Sequence, residues 1–212
     1  MLNRKLLGLA MAVAVCCSLP ASADIITYSG QLSDLDQPDA GVFDAQVEFT
    51  FDAGTNILTL EIDNNTSAPD PYTLSGIFFN VSSDVTSLTL QDDDGFTDAA
   101  LFTNASAGPF GTFDYNFDFA DPGNNGLGAG GTAIITFLVT GSNLDISDFF
   151  SGLSSGSPDY DPALSVARWS QGPGDDSVWA TNTTPGGVVP EPASLLLLGA
   201  GLAALGIRRK KQ

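Results

Sequence analysis

The chain has 212 residues, with 25 acidic side chains against seven basic ones, no histidine, two cysteines and a formal charge of −18. These numbers exclude imidazole general bases and histidine-ligated zinc. They also argue against a nucleic-acid partner, because phosphate binding needs basic patches.

Six of the seven basic residues sit at the two ends. At the N-terminus, Arg4 and Lys5 precede an apolar stretch from Leu6 to Val15, and Ala21-Ser22-Ala23 has the small-x-small form of a cleavage site. Residues 1–23 therefore read as a signal peptide that signal peptidase removes before Asp24. Val13-Ala14-Val15-Cys16 is a poor lipoprotein signal, since the residue before the cysteine should be small. Both cysteines, Cys16 and Cys17, leave with the signal. The exported part, residues 24–189, then keeps one arginine, Arg168, against 24 acids, a formal charge of −23. Without lysine, histidine or cysteine it can build neither a disulfide framework nor a thiolate or Schiff-base centre. Carboxylate-pair chemistry such as glycoside hydrolysis survives the exclusion.

The exported part reads as strands. Ile25 to Leu32 is a first, weaker candidate. Phe43, Ala45, Val47, Phe49 and Phe51 alternate with polar residues, as do Leu58, Leu60 and Ile62, and later Phe113, Tyr115, Phe117 and Phe119. A period of two marks half-buried strands. Leu74 to Val81 is a mixed apolar run, and Thr132 to Thr140 is rich in β-branched residues. Thr86 to Gln91, Ala163 to Ser170 and Ser177 to Asn182 are further candidates. Asp52 to Asn56, Asp63 to Pro71 and Asp121 to Gly131 supply turn residues between them. Asn143 to Gly152 has room for one short helical turn, and the glycine-rich Asn125 to Gly131 reads as a flexible connection. The expected fold of residues 24–184 is all-β: an antiparallel, jelly-roll-like sandwich of roughly eight to eleven strands, with Phe49, Leu60, Phe117 and Phe137 in the core.

Candidate sites within this body are few. Asp92-Asp93-Asp94-Gly95, with Asp98 close behind, puts several oxygen ligands on one turn. Asp92, Asp94 and Asp98 are the expected ligands if the domain takes a calcium ion; no other cofactor is expected. The competing reading is a solvated acidic turn. Asp34, Asp36 and Asp39 form a second acidic loop, and Asp175-Asp176 a third. Arg168, alone among acids, is expected to pair with a carboxylate or stack on an aromatic face. Trp169, Trp179, Tyr28, Tyr72, Tyr115 and Tyr160 are the side chains from which a sugar-stacking platform could be drawn. Asn64, Asn65, Asn80, Asn104 and Asn182 each open an Asn-x-Ser/Thr triplet.

The C-terminus is a different kind of sequence. Residues 185–192 read as a linker ending in Val189-Pro190-Glu191-Pro192. Ala193 to Ile207 is then uncharged, and Arg208-Arg209-Lys210-Lys211 closes the chain before Gln212. As a helix, 193–207 spans roughly 22 Å, short of a bilayer core of about 30 Å. The basic run, residues 208–212, holds that end in the cytoplasm. The prolines keep the segment outside the membrane extended. These residues suit an intramembrane processing enzyme; a permanent anchor is the alternative.

This three-part tail resembles the PEP-CTERM sorting domain. The resemblance implies a transmembrane sorting helix, exosortase as processing partner, and removal of the tail near Pro190–Pro192. It further implies export in a Gram-negative-type bacterium, a membrane-tethered precursor, and release to the surface or an extracellular polysaccharide matrix. The run Phe113 to Phe119, Ile134-Ile135-Thr136-Phe137, Asp148-Phe149 and Ala167-Arg168-Trp169 resemble β-rich bodies attached to this tag. The leading expectation for the body is a non-enzymatic surface or matrix protein associated with extracellular polysaccharide. A carbohydrate-binding module and a glycosidase with a carboxylate pair are the alternatives.

Overall fold

The computed structural model describes residues 22–29, 32–33, 43–66, 72–119, 126–156, 161–170, 177–182 and 188–189. Twelve strands fall within them: β1 (Ser22–Ser29), β2 (Leu32–Ser33), β3 (Asp44–Asp52), β4 (Ile57–Asn64), β5 (Thr73–Phe79) and β6 (Val85–Asp92), then β7 (Ala100–Ser106), β8 (Thr112–Asp118), β9 (Thr132–Gly141), β10 (Ser165–Ser170), β11 (Val178–Asn182) and β12 (Val188–Val189). The count exceeds the expected range because β2 and β12 are two-residue edge strands. The only other regular elements described are 3-10 turns at Gly108–Phe110 and Ile146–Phe150. The second of these is the short helical turn expected between Asn143 and Gly152. Asp145 starts it with a capping box: its carboxylate accepts from Ser147 N, and Asp148 returns a bond to Asp145 N.

The strands form two six-stranded antiparallel sheets, ordered β12-β1-β3-β4-β9-β6 and β2-β11-β10-β5-β8-β7. Ladders β1–β12, β2–β11, β4–β9 and β5–β8 nest one inside another along the chain. Alternation in the sequence sets the faces. In β3, half-buried and buried residues alternate without a break from Asp44 to Asp52. Phe49, Leu60, Phe117 and Phe137 are all fully buried. Phe49 meets Phe79 edge-on at 5.6 Å between centroids, and Phe117 meets Phe137 at 5.9 Å, so aromatic pairs join the two sheets. A second, smaller cluster of Phe78, Phe110, Phe113, Val166 and Trp179 lies on the other face of the second sheet.

Two sequence readings need correction. Residues 126–131 are not a loose connection. Leu127 exchanges both backbone hydrogen bonds with Leu74 at 2.9 Å, and Gly130 N donates to Asn64 O at 2.7 Å. Gly126 permits this approach, because a Cβ there would stand 2.7 Å from Leu74 O. Val188 and Val189, read as part of the 185–192 linker, form β12 at the edge of the first sheet. A branched Val-Val pair satisfies an open ladder more readily than the prolines and glycines around it.

Candidate functional site

Among the described residues, the sorting segment meets the body at the β1–β12 ladder. Antiparallel pairing sets Ala23 opposite Val189 and Asp24 opposite Val188. β1 continues across the expected signal-peptidase bond, since Ser22 pairs with Phe51 and Ala23 with Thr50. The side chain of Asp24 is buried, and its Oδ1 has no hydrogen-bond partner. Burial raises its pKa above the ordinary carboxylate value, against a smaller opposing effect of the Ile25 amide. Ala21, Pro190, Glu191, Pro192, the helix 193–207 and the basic stop Arg208, Arg209, Lys210 and Lys211 lie outside the described residues.

The Asp92–Asp98 turn turns its carboxylates on its own backbone. Asp92 Oδ1 accepts from Asp94 N and Asp93 Oδ1 from Gly95 N, each at 3.0 Å. Asp94 Oδ2 reaches across to Ile134 N at 3.2 Å. Asp94 and Gly95 both take positive φ, 55° and 81°, which bends the turn. Asp98 lies beyond it and is exposed. Among the described residues no group of three or more acidic side chains is placed to hold a metal ion. Asp34, Asp36, Asp39, Asp175 and Asp176 lie outside them.

A cleft of about 510 Å³ opens on the side where β6 and β7 are the edge strands. It is lined by Val81, Ser82, Ser83, Val85, Thr103, Asn104, Asp114 and Tyr115. Asp114 is the one carboxylate of that lining, and its Oδ2 accepts from Val81 N at 3.1 Å. Ser82 Oγ donates to Asp148 Oδ1 at 2.6 Å and accepts from Asp84 N at 3.0 Å. Tyr115 Oη accepts from Leu88 N at 3.3 Å. These polar groups are engaged in closing the β5–β6 connection.

Arg168 lies half-buried with its guanidinium 5.1 Å from the ring centroid of Trp179, its partner across the β10–β11 ladder. Its Nη2 donates to Ser177 Oγ at 3.1 Å. Of the two arrangements expected, stacking is the one seen among the described residues, on Trp179 rather than on its neighbour Trp169. Trp169, Trp179, Tyr28, Tyr72 and Tyr115 are all buried. Tyr160 lies outside the described residues. Asn64 and Asn80, two of the triplet asparagines, are buried as well.

The tail is the part of the chain that known proteins explain. Residues 188–210 match the PEP-CTERM protein-sorting motif. The chain carries a PEP-CTERM sorting motif. The motif marks it as an exported, membrane-tethered precursor whose processing partner is an exosortase. It covers β12 and the chain on to residue 210, and leaves the sandwich unassigned. No curated protein and no solved structure matches this chain.

Proposed function

We propose that this protein is a non-enzymatic component of the cell surface or extracellular matrix, delivered in three steps. Signal peptidase removes residues 1–23. The 193–207 helix holds the precursor in the membrane with residues 208–212 inside. Exosortase then cuts near Pro190–Pro192 and frees a body of formal charge −23 to associate with extracellular polysaccharide. The sorting motif at residues 188–210 is the observation that carries this reading.

The body's surface supports it. A retaining or inverting glycosidase needs two carboxylates about 5–10 Å apart around its substrate. The 510 Å³ cleft is lined by one, which already holds a main-chain amide. A sugar-stacking module needs exposed aromatic faces, and five of the six candidates are buried.

Mass spectrometry of the exported protein tests the route. In a host with a matching exosortase, the mature N-terminus is Asp24 and no peptide from Leu195 to Lys211 is recovered. In the same host lacking exosortase, that peptide remains and the protein stays in the membrane fraction. Recovery of the intact C-terminus from the surface of exosortase-competent cells would refute processing. Co-sedimentation with the host's extracellular polysaccharide tests the final location.

A further inference from the structure

The cleft beside β6 and β7 has two kinds of polar group in its walls. One kind is used by the fold. Buried Asn80 accepts at Oδ1 from Asp114 N at 2.9 Å, and its Nδ2 donates to Gly152 O at 3.1 Å. Asp114 Oδ2 accepts from Val81 N at 3.1 Å. Tyr115 is fixed by Leu88 N, and Ser82 by Asp148. The other kind is not used. Ser83, Thr103 and Asn104 are exposed, and their side chains make no hydrogen bond among the described residues; Asp114 Oδ1 has no partner among them either. We propose that this cleft binds a neutral saccharide segment through these four residues. The proposal names a site for the association with extracellular polysaccharide and rests on that reading.

Three observations carry it. First, the chemistry of the lining selects the class of ligand. The Ser83 and Thr103 hydroxyls both donate and accept, the Asn104 amide does both, and Asp114 Oδ1 accepts. Sugar hydroxyls also donate and accept, so they can satisfy every one of these groups. No basic side chain lines the cleft, and a body of formal charge −23 repels anions. A cation needs more oxygen ligands than the one carboxylate of this lining supplies. The cleft's 510 Å³ lies within the range of about 300–1,000 Å³ common to small-molecule sites. Second, the wall is built before any ligand arrives. Val81 N and Asn80 hold Asp114 from two sides, so its unused oxygen is already placed and little ordering cost is left for binding. Third, Asn104 takes a φ of 51° inside edge strand β7, an uncommon conformation for a residue other than glycine. Its side chain returns no hydrogen bond to the described residues, and backbone strain of this kind is kept at ligand clamps. Tyr115, the one aromatic ring of the lining, is buried, so hydrogen bonds rather than ring stacking carry the contact.

The probe is the neutral fraction of the host's extracellular polysaccharide, separated from the acidic fraction by anion exchange. The protein is used as the host exports and processes it. We expect it to co-sediment with the neutral fraction. A Ser83→Ala/Thr103→Val/Asn104→Gly variant should bind about tenfold more weakly or worse, as loss of three hydrogen-bonding side chains requires. The fold uses none of the three side chains, and glycine keeps the left-handed φ at position 104, so the urea midpoint should change little. On the wild-type protein, amide NMR shifts on adding the depolymerised neutral fraction should concentrate at positions 81–85, 103–104 and 114–115. Unweakened binding by the variant, or amide shifts centred elsewhere, would overturn the proposal. Binding to the acidic fraction alone would overturn it and leave polysaccharide association standing. Binding to neither fraction would overturn both.

Discussion

Asn64 is the residue on which the two sheets and the 126–131 segment converge, and its replacement by leucine tests that reading. The side chain is fully buried. Its Nδ2 donates to Leu127 O at 2.7 Å, and its Oδ1 accepts from Thr66 N and from Trp169 Nε1, both at 3.2 Å. Leucine is close in volume, so cavity formation contributes little. Leu127 O keeps its bond from Leu74 N. Two donors, Thr66 N–H and the Trp169 indole N–H, are left buried and unpaired at about 1–3 kcal/mol each. The expected loss for Asn64→Leu is therefore about 2–6 kcal/mol, a large part of the roughly 5–15 kcal/mol of a typical domain. Urea unfolding of residues 24–189 followed by far-ultraviolet circular dichroism measures it, with an unchanged m-value as the check that the fold is kept. Trp169→Phe removes one of the stranded donors, so the double variant should lose less than the sum of the singles by about 1 kcal/mol or more. A loss below about 1 kcal/mol for Asn64→Leu, or strict additivity, would refute the argument.

Other expectations follow from single positions. A Cβ on Gly141 would stand 2.2 Å from Asp84 O, so Gly141→Ala must move the β6–β9 end and should lower stability by about 1–3 kcal/mol in the same urea assay. Hydrogen bonds from the Thr55 hydroxyl and the Gly54 amide lower the pKa of Asp52 below the ordinary value of 3.8. Its contribution is present above that value and lost as pH falls through the folded-state value, so the melting-temperature gap between wild type and Asp52→Ala should close in acid. Asp24 has the opposite sign: burial raises its pKa, so its ionised form penalises the fold at neutral pH and protonation relieves this as pH falls toward 3.8. In the chain that begins at Ser22, Asp24→Asn should raise the melting temperature at pH 7 and not at pH 4; in the chain that begins at Asp24 the gain should shrink. Because Asp92, Asp93 and Asp94 each hold a main-chain amide, chelator should leave the melting curve unchanged, and a fall in melting temperature without calcium would establish an ion on that turn.

The legible part of this fold was the part governed by alternation. β3, β4 and β8 carry apolar residues at every second position of the sequence and lie near their expected bounds, while β9 is legible from its β-branched content. β7 was missed. Its Ala-Leu-Phe-Thr-Asn-Ala-Ser run does not alternate, because an edge strand with little buried surface on either face has no reason to. Asn104 even takes a positive φ of 51° within it. The role of Asn64 was also invisible: in sequence it opens an Asn-Asn-Thr triplet, and only the fold brings Trp169 to it across 105 positions. The candidate site divides the same way. The tail was legible because its address is linear, a pair of prolines, an apolar run and a basic stop. The link between the tail and Asp24 was not, because strand pairing between residues 23 and 189 leaves no local trace.

Charge and topology together assign the tail its work. A body with one cation among 24 acids has no electrostatic reason to remain beside an anionic headgroup surface. Ala23 and Val189 are paired at one edge of the first sheet, so both attachments of the proposed precursor follow on from neighbouring residues. On the proposed route, the first cut removes one attachment. The second removes the last membrane-active residues and four positive charges. Nothing on that route then opposes departure, and a body of formal charge −23 repels a polyanion rather than gripping it. The proposed association with polysaccharide would accordingly run through neutral sugars or shared divalent cations, because direct ion pairing with an acidic polymer has only Arg168 to use, and Arg168 is stacked on Trp179.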